Sequence, residues 1–245
     1  MTTTQNSLTT PTSALIVIDM QTGFLDPHWG EPHDLEGCRA NVSALISAFA
    51  ASGAPIVLVR HDSTEPDSPL RPDASGNQLF AEVARAPHDL FVTKTVNSAF
   101  IGSPDLDAWL RGRGIDTIVL GGIQTNMCVE TTARMGGNLG YRVVVALDAT
   151  TTFPLSATVA AAVRTDGITG SAVGGAPDEG SAVGGAPDEG SAGAGSAEPL
   201  TATLETLTLS AESLIEATAV NLSGGGFAEV TTTEDVLARL GDSAL

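Results

Sequence analysis

Apolar residues fall along this chain in short unbroken runs. Ala14–Asp19 is four aliphatic residues after an alanine, and it ends in a carboxylate. Similar runs follow at Pro55–Arg60, Leu90–Lys94, Ile115–Gly121, Arg142–Asp148 and Phe227–Thr231. Runs of this length without polar alternation are the pattern of strands buried on both faces. Between most of them lie helix-length segments. Leu35–Ser52 stops at Gly53, Asp105–Arg113 at Gly114 and Cys128–Leu139 at Gly140. Each glycine falls where a left-handed residue closes a helix. Ser210 stands as an N-cap ahead of Leu214, Ala217 and Leu222, and a last helix is expected over Thr233–Leu240. Strand alternating with helix predicts a doubly wound, Rossmann-like α/β domain. Its sheet is mostly parallel and six-stranded, with helices on both faces.

Two segments break the pattern. Residues 1–13 are rich in Thr and Ser and read as a flexible N-terminal tail. Residues 170–179 repeat identically as 180–189, and a decayed copy follows over 190–199. Those thirty residues hold nine of the 27 glycines and no basic residue. They bury too little apolar surface to offset their ordering entropy, so they read as a low-complexity insert. A ten-residue period is too short for a helical solenoid. Residues 14–245 are therefore one domain, interrupted at 170–199.

The chain has 245 residues and a net charge of −18, from 29 acidic and 11 basic residues. That field repels phosphates, so neither nucleic acid nor an anionic membrane is an expected partner. It is compatible with a cationic small molecule. With the repeat removed the charge is still −13, so the acidity belongs to the folded body too. Two cysteines, Cys38 and Cys128, make neither a disulfide framework nor a zinc cluster. No basic-then-apolar leader and no membrane-length apolar run is present, so a cytoplasmic protein is expected.

Three chemically active residues sit at or just past the carboxyl ends of expected strands: Asp19, Lys94 and Cys128. In open α/β sheets the ligand crevice lies outside those ends. Taken singly, each has an ordinary explanation: a strand-end Asp caps helices, a lone Cys packs as a small hydrophobe, and a Lys is solvated. Lys94 is the only lysine in a chain that otherwise uses arginine. Cys128 opens a helix, whose dipole is expected to lower the thiol pKa.

Leu15-Ile-Val-Ile-Asp-Met-Gln-Thr-Gly-Phe24, Thr93-Lys-Thr-Val-Asn-Ser-Ala-Phe100 and Gly122-Ile-Gln-Thr-Asn-Met-Cys-Val-Glu-Thr-Thr-Ala133 resemble the three signature stretches of the isochorismatase-like cysteine hydrolases. The resemblance extends over His61-Asp62, Pro69–Pro72, Leu147–Ala149 and Asn221–Thr232, nearly all of the chain outside the tail and the repeat. It implies a catalytic triad of Asp19, Lys94 and Cys128. It implies a cis peptide before Gln124, with the amides of Gln124 and Cys128 as oxyanion donors. The chemistry implied is attack of Cys128 on a small amide, a thioester intermediate, and hydrolysis. Gln21, Phe24, His61 and Phe153 are expected around the substrate.

Within that family the segment from Leu209 to Phe227 is similar to streptothricin-hydrolase-like members, which open a cyclic amide. A nicotinamidase-type or N-carbamoyl amidohydrolase is the alternative. Nicotinamidases carry a metal, but their Asp-x-His pattern is not met by His61-Asp62, so no metal or cofactor is expected. His28, Trp29 and His33 either line the pocket or pack their loop. A non-catalytic binding or scaffold member is the rival of another class. The resemblance further implies a homo-oligomer.

Overall fold

A computed structural model describes residues 13–160 and 204–241. Residues 1–12 of the expected tail and the repeat at 170–199 lie outside the described residues, and Ser13, the last residue of that tail, belongs to the first strand. The elements run β1 (Ser13–Ile18), α1 (Leu35–Ser52), β2 (Ile56–His61), α2 (Ala81–Ala84), β3 (Leu90–Lys94), α3 (Leu106–Gly112) and β4 (Thr117–Ile123). Then come α4 (Glu130–Asn138), β5 (Arg142–Thr151), β6 (Leu155–Ala160), β7 (Leu204–Leu209), α5 (Ala211–Gly224), β8 (Glu229–Thr231) and α6 (Thr233–Gly241). The described residues form two compact units, one of residues 13–155 and 209–241 and one within 156–208.

The first unit is built on a six-stranded sheet of order β3-β2-β1-β4-β5-β8. Each described pairing in it is parallel. The alternation of runs and helices gives this result because parallel neighbours need a crossover, and each crossover is helical. Side chains of β1 alternate between the two faces. Leu15 and Val17 pack with Leu45 and Phe49 of α1 and Val236 of α6. Ile16 and Ile18 pack with Leu110 of α3, Ala133 of α4 and Leu222 of α5. Both faces are thus covered, which is why the strands carry no polar alternation.

Several boundaries move for identifiable reasons. β1 starts at Ser13, which pairs with Thr117. β4 starts at Thr117 rather than Ile115, because the Ile115 N–H closes α3 on the Leu110 carbonyl at 3.1 Å. β8 starts late for the same reason: the N–H groups of Phe227 and Ala228 both donate to the Leu222 carbonyl, at 3.0 and 3.2 Å. α1 keeps its expected ends. The Asp34 side chain accepts from the Gly37 N–H, and Gly53, at φ 72°, takes the left-handed C-cap.

The second unit holds a two-stranded ribbon of β6 and β7, in which Ser156 Oγ and Thr208 Oγ1 lie 2.8 Å apart. The sequence reading assigned no element there.

Candidate active site

The strand order reverses across the β1–β4 pair, with β1 to β3 laid down to one side and β4, β5 and β8 to the other, and the crevice of such a sheet opens at that point. Asp19 directly follows β1. Its φ of 51° lies in the left-handed region, an uncommon place for a non-glycine residue that ends the strand and turns the side chain aside. Its N–H still donates to the Val59 carbonyl at 3.0 Å. β4 passes the same point on Gly122, at φ 127°, where an added Cβ would lie 2.0 Å from the Ile18 carbonyl oxygen. Only glycine permits that approach. Lys94 is the last residue of β3.

Cys128 does not open an α-helix. It lies inside a π-helical turn, Thr125–Val129, that precedes α4. π-turns of this kind recur at functional sites. This one is tied to β5, since Thr125 Oγ1 donates to Thr150 Oγ1 at 2.9 Å and Thr152 Oγ1 donates to Asn126 Oδ1. Just past it, Glu130 accepts from Thr218 Oγ1 of α5 and from Arg134, each at 2.7 Å. The Ile123–Gln124 peptide that enters the turn is cis.

The three strand-end residues meet. Lys94 Nζ donates to Asp19 Oδ2 at 2.5 Å and to Cys128 Sγ at 3.2 Å. It makes a third contact, 3.1 Å, to Nδ1 of His61, the last residue of β2. The side chains of Asp19 and Lys94 are 0% exposed. Asp19 Oδ1 is buried with no hydrogen-bond partner. Asn97 Oδ1 lies 3.9 Å from Cys128 Sγ, on an exposed residue that the sequence reading did not single out.

Burial decides the electrostatics. It raises the Asp19 carboxyl above its ordinary value, although Lys94 beside it pulls the other way. Asp19 is therefore a stronger base than a solvated carboxylate. Burial also works against the Lys94 ammonium, yet Asp19 and Cys128 hold it above the usual lysine value. Burial first, then Asp19, push the Cys128 thiol up to about 12. The expected lowering by a helix dipole is not what these surroundings give. Cys128 sits in a π-turn, and desolvation outweighs the dipole. Cys128 is therefore a neutral thiol at rest, beside Asp19 and the Lys94 ammonium.

Burial and the Lys94 ammonium hold His61 below the imidazole range, so it is neutral at pH 7 and Nδ1 accepts from Lys94. Asp19, His61 and Cys128 offer ligand atoms within 4.8 Å of one another. Lys94 Nζ is hydrogen-bonded to all three groups, so a cation already occupies their centre and a metal ion would have to displace it.

The other expected residues divide. Gln21 departs from its expected place in the pocket wall. It is fully buried, and its amide is spent on backbone, donating to the His61 carbonyl at 2.9 Å and accepting from the His61 N–H at 2.8 Å. Phe24 and Phe153 are buried and stacked, ring centroids 5.8 Å apart, with Trp29 against both. Trp29 Nε1 donates to the Gly23 carbonyl, and the His28 ring lies tilted against Trp29, centroids 4.2 Å apart, so this loop packs on itself. His33 lines a separate cavity of about 430 Å³ with Asp34, Asp148, Ile215 and Val230. The Gln124 backbone leads directly into the Cys128 turn as its N-cap.

Fold and site together define a class: a doubly wound α/β protein that gathers a thiol, a carboxylate and an ammonium at the carboxyl ends of its parallel strands. The chain belongs to the isochorismatase family, since the model of the isochorismatase domain matches residues 13–173. It is 33% identical over 172 residues to the ureidoacrylate amidohydrolase RutB of Variovorax paradoxus, covering 56% of this chain and 68% of that one. It is 31% identical over 147 residues to the streptothricin hydrolase of Streptomyces noursei, covering 60% of this chain and 57% of that enzyme. A crystal structure of a putative hydrolase of the family from Chromobacterium violaceum superposes with a TM-score of 0.68 at 29% identity, over 96% of both chains. Among the described residues no helix is long and apolar enough to cross a membrane.

Proposed function

We propose that this protein is a hydrolase of small-molecule amides, cleaving a C–N bond through a thioester on Cys128. The observation that carries the reading is one buried ammonium, Lys94, bonded at once to a carboxylate at 2.5 Å and to a thiol at 3.2 Å. A structural ion pair needs no thiol, and a packing cysteine needs no base. Of the two named relatives, one is by its name an amidohydrolase of ureidoacrylate and the other a hydrolase of streptothricin.

The steps follow from the charges. The Cys128 sulfur attacks the amide carbonyl carbon, and its proton passes to Asp19, whose raised proton affinity suits a general base. Lys94 stabilises the developing sulfur anion without giving up its own proton. The carbonyl oxygen gathers negative charge, and the backbone N–H groups of Gln124 and Cys128 are its donors in this reading. Asp19 then delivers the proton to the departing nitrogen, and the amine leaves an acyl-thioester. Asp19 takes a proton from water, whose oxygen attacks the thioester carbonyl. The carboxylic acid leaves and the thiol is restored.

The finer reading is a cyclic amide in a cationic molecule, supported by the net charge of −18 and the similarity to streptothricin hydrolase. The test is a panel of lactams, ureido acids and primary amides, read by ammonia or amine release for the open-chain amides, by the ring-opened product one water heavier for the lactams, and by intact mass of the protein. A mass increment on Cys128 that builds and decays with turnover, and is absent from Cys128→Ala, is the expected result. Turnover that survives Cys128→Ala overturns the thioester. No turnover and no adduct on any panel member favours the binding-protein alternative.

A further inference from the structure

The contacts around His61 assign it a role that neither substrate binding nor metal binding describes. A lysine ammonium has three N–H donors. Here each has one acceptor: Asp19 Oδ2, Cys128 Sγ and His61 Nδ1. The account closes only with the imidazole. Without it one donor of a buried cation is left unpaired, and the ammonium is free to swing away from the thiol.

The imidazole is itself held. β1 pairs with β2 only as far as Ile18 opposite Val59. Asp19 then turns off the strand at φ 51°, so the next β2 residue facing β1, His61, loses its partner. Its backbone groups are satisfied by a side chain instead. The Gln21 amide accepts from the His61 N–H at 2.8 Å and donates to its carbonyl at 2.9 Å, as a strand would. Gln21 Nε2 also donates to the Asn77 carbonyl at 3.0 Å, and Asn77 Nδ2 reaches the His61 carbonyl at 3.2 Å and the Leu70 carbonyl at 2.7 Å. On the other side His61 is in register with Lys94 itself. Nδ1 is the ring nitrogen that faces the ammonium, at 3.1 Å.

We propose that His61 is a positioning residue, a neutral imidazole that fixes the Lys94 ammonium between Asp19 and Cys128. Gln21 stands in for the missing length of β1 and sets the imidazole in place. Charged groups facing the ring are Lys94, Asp19 and Asp62. Protonation would turn Nδ1 from an acceptor into a donor aimed at an ammonium, and the ammonium would lose its third contact.

The proposal rests on the reading of Cys128 as the nucleophile, so the test is made on the thiol rather than on turnover. The full chain is alkylated with iodoacetamide from pH 5 to 9, and labelling of Cys128 and Cys38 is resolved by mass. Three proteins are compared: wild type, His61→Leu, and His61→Asn, whose Oδ1 places an acceptor near the position of Nδ1. The expected result is labelling of Cys128 about tenfold slower in His61→Leu, the effect of losing one charged hydrogen bond. His61→Asn recovers most of the rate. Because Asn does not titrate, its plateau also reaches to lower pH than that of wild type, a change that a packing role would not produce. His61→Leu labelling like wild type overturns the proposal and leaves the nucleophile standing. Equal loss in His61→Leu and His61→Asn also overturns it. Wild-type Cys128 reacting no faster than Cys38 overturns this proposal and the nucleophile together.

Discussion

Cys38 and Cys128 both lie near the start of a helix, and both are buried, at 1% and 7% exposure. Burial pushes both thiols up to about 12. What surrounds them differs. Cys38, in the first turn of α1, donates to the Ala149 carbonyl at 3.3 Å and packs among Val42 and Leu45 of its own helix. Cys128 has an ammonium at 3.2 Å, with a carboxylate and an imidazole within 4.8 Å. Neither helix position nor a perturbed thiol separates the two. The separation lies in a nearby acceptor for the proton and a fixed cation for the charge left behind. A nucleophile of this kind is a neutral thiol at rest and is activated only as its proton moves.

The largest break in this comparison is Lys94→Met, which keeps the length of the side chain and removes the charge. It leaves the Asp19 carboxylate buried opposite an apolar group. Removing one partner of a buried ion pair costs about 3–5 kcal/mol. The expected result is that loss in denaturant unfolding, together with Cys128 labelling reduced to the rate of Cys38. Full labelling with normal stability would show that the ammonium is dispensable, and the contrast between the thiols would lose its cause.

Asp19→Asn acts on the proton rather than the charge. General-base contributions run to about 10²–10⁴-fold, and turnover should fall within that range. The pH dependence has a definite sign. In wild type the working form is the carboxylate, and burial raises its proton affinity. Activity should therefore disappear as pH falls through a value above the ordinary carboxylate range. The linked stability runs the other way. A carboxyl with a raised value in the fold takes up a proton on folding, so its unfavourable contribution grows as pH rises through that window. Asp19→Asn should remove this part of the pH dependence of unfolding and the Asp19 share of the acidic limb of Cys128 labelling, leaving the share that His61 protonation sets. An acidic limb unchanged in Asp19→Asn would assign all of it to groups other than Asp19.

The comparison also marks what the sequence makes legible. Aliphatic runs ending in Asp19 and Lys94, and a glycine-rich strand leading to Cys128, place three groups at one sheet end, because parallel strands share a polarity. That inference needs no contact information. The value of the thiol pKa does need it: the helical pattern after Cys128 suggests a dipole, while the opposing desolvation depends on packing from α5 and β5. Gln21 shows the same limit. A glutamine two residues past a catalytic-looking Asp reads as a pocket residue. Its use as a substitute strand appears only once β1 is seen to stop at Ile18 while β2 continues to His61. The ribbon of β6 and β7 was written in Leu204-Glu-Thr-Leu-Thr-Leu209, an apolar and β-branched run. Its position beside a low-complexity segment hid it, because strand partners across such a segment cannot be paired by pattern alone.

The smallest expected effect is the sharpest check on the comparison, since it asks whether the two thiols are independent. Cys38 is not remote from the active turn by connectivity. Its sulfur donates to the Ala149 carbonyl, and the next residue, Thr150, accepts from Thr125 at the start of the turn that carries Cys128. Cys38→Ser keeps a donor for Ala149 and shrinks the side chain slightly. The stronger hydroxyl bond and the lost sulfur packing oppose each other, leaving a net destabilisation of about 1 kcal/mol or less. A backbone carbonyl carries no charge that changes with this substitution, so the field at Cys128 stays as it is. The rate of Cys128 labelling and its pH profile should match wild type across pH 5 to 9. A displaced profile in Cys38→Ser would mean that the Thr125–Thr150 tie transmits strain from the α1 face into the π-turn. The position of the Cys128 sulfur would then be set partly from behind the sheet rather than by Lys94, Asp19 and His61 alone.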